Sequence, residues 1–298
     1  MNRKALYVLV ALGLIGCLSL PLFFSGCADR FFYQPDGVEQ PLAHPIAHQV
    51  VTMRAADGAR LNGWFLHASG TAKATIVFLH GNTGNLTVHV PFVAWLPAAG
   101  YNVLAFDYRG YGRSEGKPSR QHVIEDARTA YFYARSRKDV DPERMILLGQ
   151  SLGAANAIAL AGLAPLPGLR AVVADSAFAS YERIVGEKFL GLPYGVNRVL
   201  YSARGMLVSD ELSPEQFVGK IAPVPLLLIA GDADDVVPAS HSVLLYARAH
   251  DPKVLWIVHG ARHIEALIRF RARLEPALVS FLDAAVNGGA ISGGKVEW

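Results

Sequence analysis

Met145-Ile146-Leu147-Leu148 runs without interruption into Gly149-Gln150-Ser151-Leu152-Gly153, and then into Ala154-Ala155-Asn156-Ala157-Ile158. Four apolar residues closed by a glycine read as a short strand buried on both sides. From Leu152 to Leu163 the alanine-rich pattern has the length and composition of a helix. Between strand and helix stands Gly-x-Ser-x-Gly. Its two glycines permit the close backbone approach that a sharp strand-to-helix turn requires. Such a turn pushes the Ser151 hydroxyl out above the sheet, over a helix N-terminus that favours developing negative charge. A Gly/Ser turn is a common connector, so the strand–turn–helix context is what marks Ser151 as a candidate nucleophile.

The same alternation continues outward in both directions. Short β-rich runs occur at 75–79, 103–106, 171–174, 226–229 and 254–258, with helical patterns at 88–99, 120–137, 240–249 and 264–285. Continuous apolar strands separated by helices indicate a mostly parallel sheet covered on both faces. Ahead of them, 50–54 and 61–66 flank Asp57-Gly58, a turn pair that predicts a β-hairpin. At 298 residues, 52% of them hydrophobic, the chain suffices for one large domain with a buried core. A net charge of +3 with no basic tract excludes a nucleic-acid surface. The two cysteines are Cys17 and Cys27, so the rest of the chain has no disulfide, thiolate nucleophile or cysteine metal site.

A serine nucleophile needs oxyanion donors, a base, and an acid to orient the base. His80-Gly81-Asn82-Thr83-Gly84-Asn85 follows the strand at 75–79, and a Gly-rich turn there aims a backbone N–H at the space above the serine. The N–H groups of Asn82 and Leu152 are the expected oxyanion hole, with the His80 side chain bracing the loop. After the strand at 226–229 comes Gly231-Asp232-Ala233-Asp234-Asp235-Val236-Val237-Pro238, and the last strand is followed by His259-Gly260-Ala261-Arg262-His263. Alternation along an extended stretch puts Asp232 and Asp234 on one side and turns Asp235 away. Asp232, at the strand's end, is placed to cap the loop by accepting backbone N–H bonds. His259 ends a strand and reads as structural. His122, His241 and His250 lack metal-ligand spacing, so neither a metal nor a cofactor is expected.

His80 to Asn85, then Asp107-Tyr108-Arg109-Gly110-Tyr111-Gly112-Arg113-Ser114-Glu115-Gly116, then the Gly149–Gly153 turn, together resemble the α/β-hydrolase superfamily. The likeness is to its serine-aminopeptidase-like and protein-depalmitoylase-like branch, and it covers about 50–283. It implies an α/β-hydrolase fold: a mostly parallel eight-stranded sheet, helices on both faces, and a small cap insert at about 176–222. It places the acid of G-x-x-D-x-x-V-P on Asp234 and the histidine of G-A-x-H on His263, in the chain order serine, acid, base. It also implies that the 107–116 turn shapes the site, where Asp107 and Arg109 read as an internal salt bridge. Relatives often carry Glu-Ser-Pro-Phe where this chain has Asp175-Ser176-Ala177-Phe178, and Ser176, with no elbow around it, reads as a loop residue. The expected activity is hydrolysis of a small-molecule carboxylic ester or thioester through an acyl-enzyme. A serine peptidase, or a non-catalytic binding module on the same fold, are the alternatives.

Arg3 and Lys4 precede an apolar run at 5–24, the pattern of an export signal that also approaches the roughly 20 residues needed to span a bilayer. Leu14-Ile15-Gly16-Cys17 and Phe24-Ser25-Gly26-Cys27 both resemble the lipobox of bacterial lipoproteins. Cleavage at Cys17 would leave the apolar stub 18–24 in water, so Cys27 is the expected lipidation site, with an uncleaved anchor or a plain cleaved signal as alternatives. The expected organisation is a signal or membrane anchor at 1–27 and a tether at 28–49. A catalytic domain at 50–286 and a flexible tail at 287–298 follow, and the whole is held at the bacterial cell envelope. The segment between the strands at 171–174 and 226–229 exceeds what one crossover helix requires. Its Phe189, Leu190, Leu192, Tyr194, Leu200, Tyr201, Met206 and Leu207 are expected to form an apolar cap over the serine.

Overall fold

The computed structural model describes residues 32–190 and 196–298. Nine strands form the main sheet: β1 Gln49–Arg54, β2 Arg60–Leu66, β3 Ala74–Leu79, β4 Tyr101–Phe106, β5 Met145–Gln150, β6 Leu169–Asp175, β7 Leu226–Gly231, β8 Lys253–Val258 and β9 Gly294–Glu297. Their order is β9-β8-β7-β6-β5-β3-β4-β2-β1. The β1–β2 hairpin and the β2–β4 pair are antiparallel, and every other pairing is parallel. The central strands are buried along their whole length, which is why they read as unbroken apolar runs. Alternate residues point to one face: Ile76, Phe78, Val103, Ala105, Ile146, Leu148, Ala171, Val173, Leu227 and Ile229 share one core with Leu274, Leu278 and Leu282.

The longer helices are α1 Arg120–Ser136, α2 Leu152–Leu163, α3 Tyr181–Leu190, α4 Val196–Leu207, α5 Ser240–Arg248 and α6 Arg271–Asn287. Helices cover both faces of the sheet. α2 is apolar around nearly its whole circumference and buried accordingly, packing on β5, β6 and α1. Gly162 lets it approach the next segment, since a Cβ there would strike the Phe217 carbonyl.

The structure corrects four expectations. The helix expected at 88–99 is a single turn, Leu86–His89, then a 3-10 turn, Val90–Phe92, and further turns. Pro91 and Pro97 lack the N–H groups that propagation needs. The helix expected at 264–285 is broken at Phe270 into Ala266–Arg269 and α6. The expected flexible tail, 287–298, instead contributes β9, the strand beyond the expected eight. It pairs in parallel with β8 from Val254↔Gly294 to Ile257↔Glu297 and covers an edge of unpaired backbone groups. The expected tether, 28–49, is also docked where it is described. Gln34–Pro35 pairs in parallel with Thr83–Gly84, and the Gln34 N–H donates to the Asn82 carbonyl at 2.9 Å.

Two compact units divide the chain, one holding Tyr181–Glu211 and the other Gln34–Ser180 with Leu212–Trp298. The smaller unit is narrower than the insert expected at 176–222. It pairs α3 with α4 through a Glu182–Arg204 ion pair at 3.2 Å, with the Arg204 guanidinium over the Tyr201 ring. Of the expected cap residues, Leu192 and Tyr194 lie outside the described residues, as do the side chains of Phe189, Leu190, Leu200, Met206 and Leu207. The apolar run 5–24, Cys17 and Cys27 lie outside them too. Among the described residues no helix is long and apolar enough to cross a membrane.

Candidate active site

Ser151 occupies the turn between β5 and α2 with φ 54° and ψ −116°, a conformation that costs a non-glycine residue energy. The neighbouring glycines make room for it. A Cβ on Gly149 would collide with the Gly153 carbonyl, and one on Gly153 with the Leu79 carbonyl. Backbone bonds hold the turn: the Ser151 N–H donates to the Asp175 carbonyl at 2.8 Å, and the Ser151 carbonyl accepts from Ala155 at 3.1 Å. The Ser151 side chain makes no capping bond to the helix it precedes.

Its Oγ lies 2.9 Å from His263 Nε2, and His263 Nδ1 lies 2.8 Å from Asp234 Oδ2. A carboxylate can only accept, so Nδ1 carries the proton and the Nε2 lone pair faces the serine hydroxyl. The other Asp234 oxygen accepts the N–H groups of Val236 at 2.9 Å and Val237 at 2.8 Å. The Asp234 side chain is 1% exposed and that of His263 18%, leaving the acid sealed and the imidazole reachable. The other two carboxylates of this turn have separate partners. Asp232 accepts from the Gly260 N–H and from His259 Nδ1, each at 2.7 Å. Asp235 forms an exposed pair with Arg262 at 2.8 Å.

On the opposite side, Leu152 opens α2, so its N–H is one of the donors that an α-helix leaves without an internal partner. The Asn82 carbonyl is pinned by the Gln34 N–H and, at 2.7 Å, by the Tyr111 hydroxyl. His80 is buried and its Nδ1 donates to the Gly81 carbonyl at 2.7 Å, while His89 Nε2 donates to the Thr83 carbonyl at 2.8 Å. The two imidazoles stack with centroids 5.1 Å apart. Burial holds both below the usual histidine pKa, His80 well below it. Tyr111, His89 and Gln34 were not visible as site residues in the sequence: Gln34 and Tyr111 reach the turn from segments distant in the chain, and His89, on the helical turn that follows it, belongs to no motif of its own.

Asp107 and Arg109 do not form the expected salt bridge with each other. Arg109 turns to α1 and chelates the fully buried Asp126 at 2.6 to 3.1 Å, with Asp57 at 2.7 Å. Asp107 instead faces inward from the end of β4, accepting the Leu86 N–H at 2.7 Å and Asn62 Nδ2 at 3.3 Å. Burial pushes its carboxyl up to about 6. Gly112 has to be glycine here, since a Cβ would overlap the Asp107 carboxylate. The 107–116 turn is thus a brace under Leu86–His89. Among the described residues no cluster of three His, Cys, Asp or Glu side chains is placed to hold a metal ion.

Known proteins share much of this chain. The family model of serine aminopeptidases, S33, matches residues 70–207. The uncharacterized protein YfhR of Escherichia coli (strain K12) is 39% identical over 266 residues, which cover 87% of this chain and 89% of YfhR. The human alpha/beta hydrolase domain-containing protein 17B is 30% identical over 212 residues, covering 70% of this chain and 67% of its own. Among solved structures, an esterase from Pyrococcus furiosus shares the fold with a TM-score of 0.69 at 24% identity, over 85% of this chain and 99% of the esterase.

Proposed function

This chain belongs to the α/β-hydrolase family and is a hydrolase, and from that premise we propose that it cleaves carboxylic esters or thioesters through an acyl-enzyme on Ser151. The observation that carries the reading is the unbroken relay from Ser151 Oγ to His263 Nε2 at 2.9 Å and from His263 Nδ1 to Asp234 at 2.8 Å. In this mechanism His263 takes the hydroxyl proton as Oγ attacks the carbonyl carbon. Asp234, held by two backbone N–H groups, fixes the tautomer and stabilises the imidazolium. The N–H groups of Asn82 and Leu152 take the oxyanion, and the imidazolium returns its proton to the departing alcohol or thiol. Water, activated by His263, then repeats the attack and frees the acid. The reaction calls on no cofactor.

Preference for acyl substrates rests on the apolar composition of 189–207. A serine peptidase is the second reading, favoured by the aminopeptidase family match. Purified protein tested against acyl esters, thioesters and aminoacyl amides separates the two: faster cleavage of an amide than of any short or medium acyl ester would overturn the ester reading. Fluorophosphonate labelling that vanishes in Ser151→Ala distinguishes either from a non-catalytic binding module. Ser151→Ala should lose turnover by about a million-fold and stay folded. We further propose that residues 1–27 tether the enzyme to the bacterial envelope, by lipid on Cys27 or by the uncleaved apolar run.

A further inference from the structure

The end of β6 carries a buried pair that the proposed mechanism does not use. Asp175 is 0% exposed and Ser176 2%. The Asp175 carbonyl accepts the N–H of Ser151, at 2.8 Å. The Ser176 hydroxyl donates to Asp175 Oδ1 at 3.0 Å and accepts the N–H of Ile264, the residue after His263, at 3.2 Å. The Ser176 N–H in turn donates to the Ile229 carbonyl of β7, the strand that leads to Asp234. One dipeptide therefore bonds to the serine turn, the histidine loop and the acid's strand.

Backbone strain gathers at the same place. Four non-glycine residues among those described have positive φ, and three of them are Ser151 (54°), Ser176 (57°) and Ile264 (53°). These three are joined through Asp175 by the bonds just given. A β-branched residue such as Ile264 enters this region at a steric cost and persists there only when its surroundings hold it.

We propose that Asp175 and Ser176 are a positioning couple that sets the distance between Ser151 Oγ and His263 Nε2, holding the serine turn by a backbone carbonyl and the histidine loop by the Ser176 hydroxyl. The inference rests on the reading of Ser151 and His263 as nucleophile and base. Burial pushes the Asp175 carboxyl up to about 6, against the hydrogen bond from Ser176, which favours the ionised form. Removing the hydroxyl leaves the Ile264 N–H unpaired and frees the loop to drift, and a misplacement near 1 Å costs about a hundredfold in rate.

Ser176→Gly tests this cleanly, because glycine relieves the positive φ while deleting the hydroxyl. A role confined to the fold predicts a variant as active as the parent. The positioning role predicts a folded protein whose kcat drops by about tenfold or more with KM within about twofold. Its second-order rate of fluorophosphonate labelling should fall by the same factor, since labelling also needs His263 to take the Ser151 proton. A folded Ser176→Gly with kcat within about twofold of the parent overturns the couple. Ser176→Ala, measured in parallel, carries the test if the glycine variant does not fold, and failure of both to fold also overturns it, because the serine is then required by the fold itself. Ser151→Ala keeps the two readings apart. If it turns over normally the triad itself is wrong; if it is inert while Ser176→Gly runs at full rate, the couple alone is wrong.

Discussion

Three aspartates within four residues take three different partners, and chemistry follows from which partner each one has. Asp234 is sealed and bonded to His263, Asp232 bridges Gly260 and His259 at the surface, and Asp235 meets Arg262 in water. Asp234→Asn should keep its fold yet lower kcat by about four orders of magnitude, the cost of the wrong imidazole tautomer in a serine protease triad. Asp232→Asn keeps an acceptor for the Gly260 N–H but removes the charge and the second oxygen that accepts from His259 Nδ1, and should lower Tm with kcat little changed. Asp235→Asn should alter neither, since exposed pairs contribute little. Measuring kcat and Tm for the three variants decides the assignment, which fails if Asp232→Asn is the one that stays folded and loses turnover. The resemblance to the family's G-x-x-D-x-x-V-P run pointed to Asp234, and it could do so because strand ends and turns are local. The partners of Asp107 and Arg109 were not legible for the opposite reason. Asp126 sits on α1 and Leu86 on a turn before β4, and only the assembled sheet brings them close.

At the scale of elements, the turn at 80–85 is braced by groups that titrate, and its stability should follow them. His80 and His89 have folded pKa values below the ordinary 6.5, so the unfolded chain binds more protons than the folded one as pH falls below about 6.5, and stability is lost there. Asp107 and Asp175 act in the opposite sense. Their folded values near 6 lie above the ordinary 3.8, so their contribution is fully present below 3.8 and is lost as pH rises through about 6. The two effects overlap around pH 6, where they offset in part. His89→Gln, whose amide keeps a donor for the Thr83 carbonyl, removes one histidine from this balance. Its Tm should therefore rise relative to the parent as pH falls from 7 to 5, as scanning calorimetry in matched buffers would show. Equal pH slopes in the two proteins would exclude His89 as a source of acid sensitivity. Legibility at this scale followed burial. Strands enclosed on both faces were readable as apolar runs, whereas β9, Gly294-Lys295-Val296-Glu297, has one apolar residue and is a strand only because β8 offers it an edge.

For the whole molecule, the question is how the anchor proposed at residues 1–27 would connect to a site that must keep its geometry. Only a few residues separate Cys27 from Gln34, and Gln34–Pro35 is already paired with Thr83–Gly84. The Gln34 N–H holds the Asn82 carbonyl and the Asp36 N–H holds that of Gly84, each at 2.9 Å. Gln34 to Asp36 thus brace the turn that carries the proposed oxyanion donor Asn82, and a truncation that removes the proposed anchor must spare them. A protein beginning at Asp29 should remain in the supernatant and keep its kcat, while the full chain sediments with membranes. A protein beginning at Val38 should also be soluble but lose these bonds, with kcat lowered about tenfold as the Asn82 N–H loses its aim. Mass spectrometry of the mature N-terminus identifies the attachment: a diacylglyceryl mass on Cys27 fits a lipoprotein, and an intact Met1 an uncleaved anchor. Equal kcat for the Asp29 and Val38 forms would show that Gln34 to Asp36 only fasten the chain and take no part in holding the site.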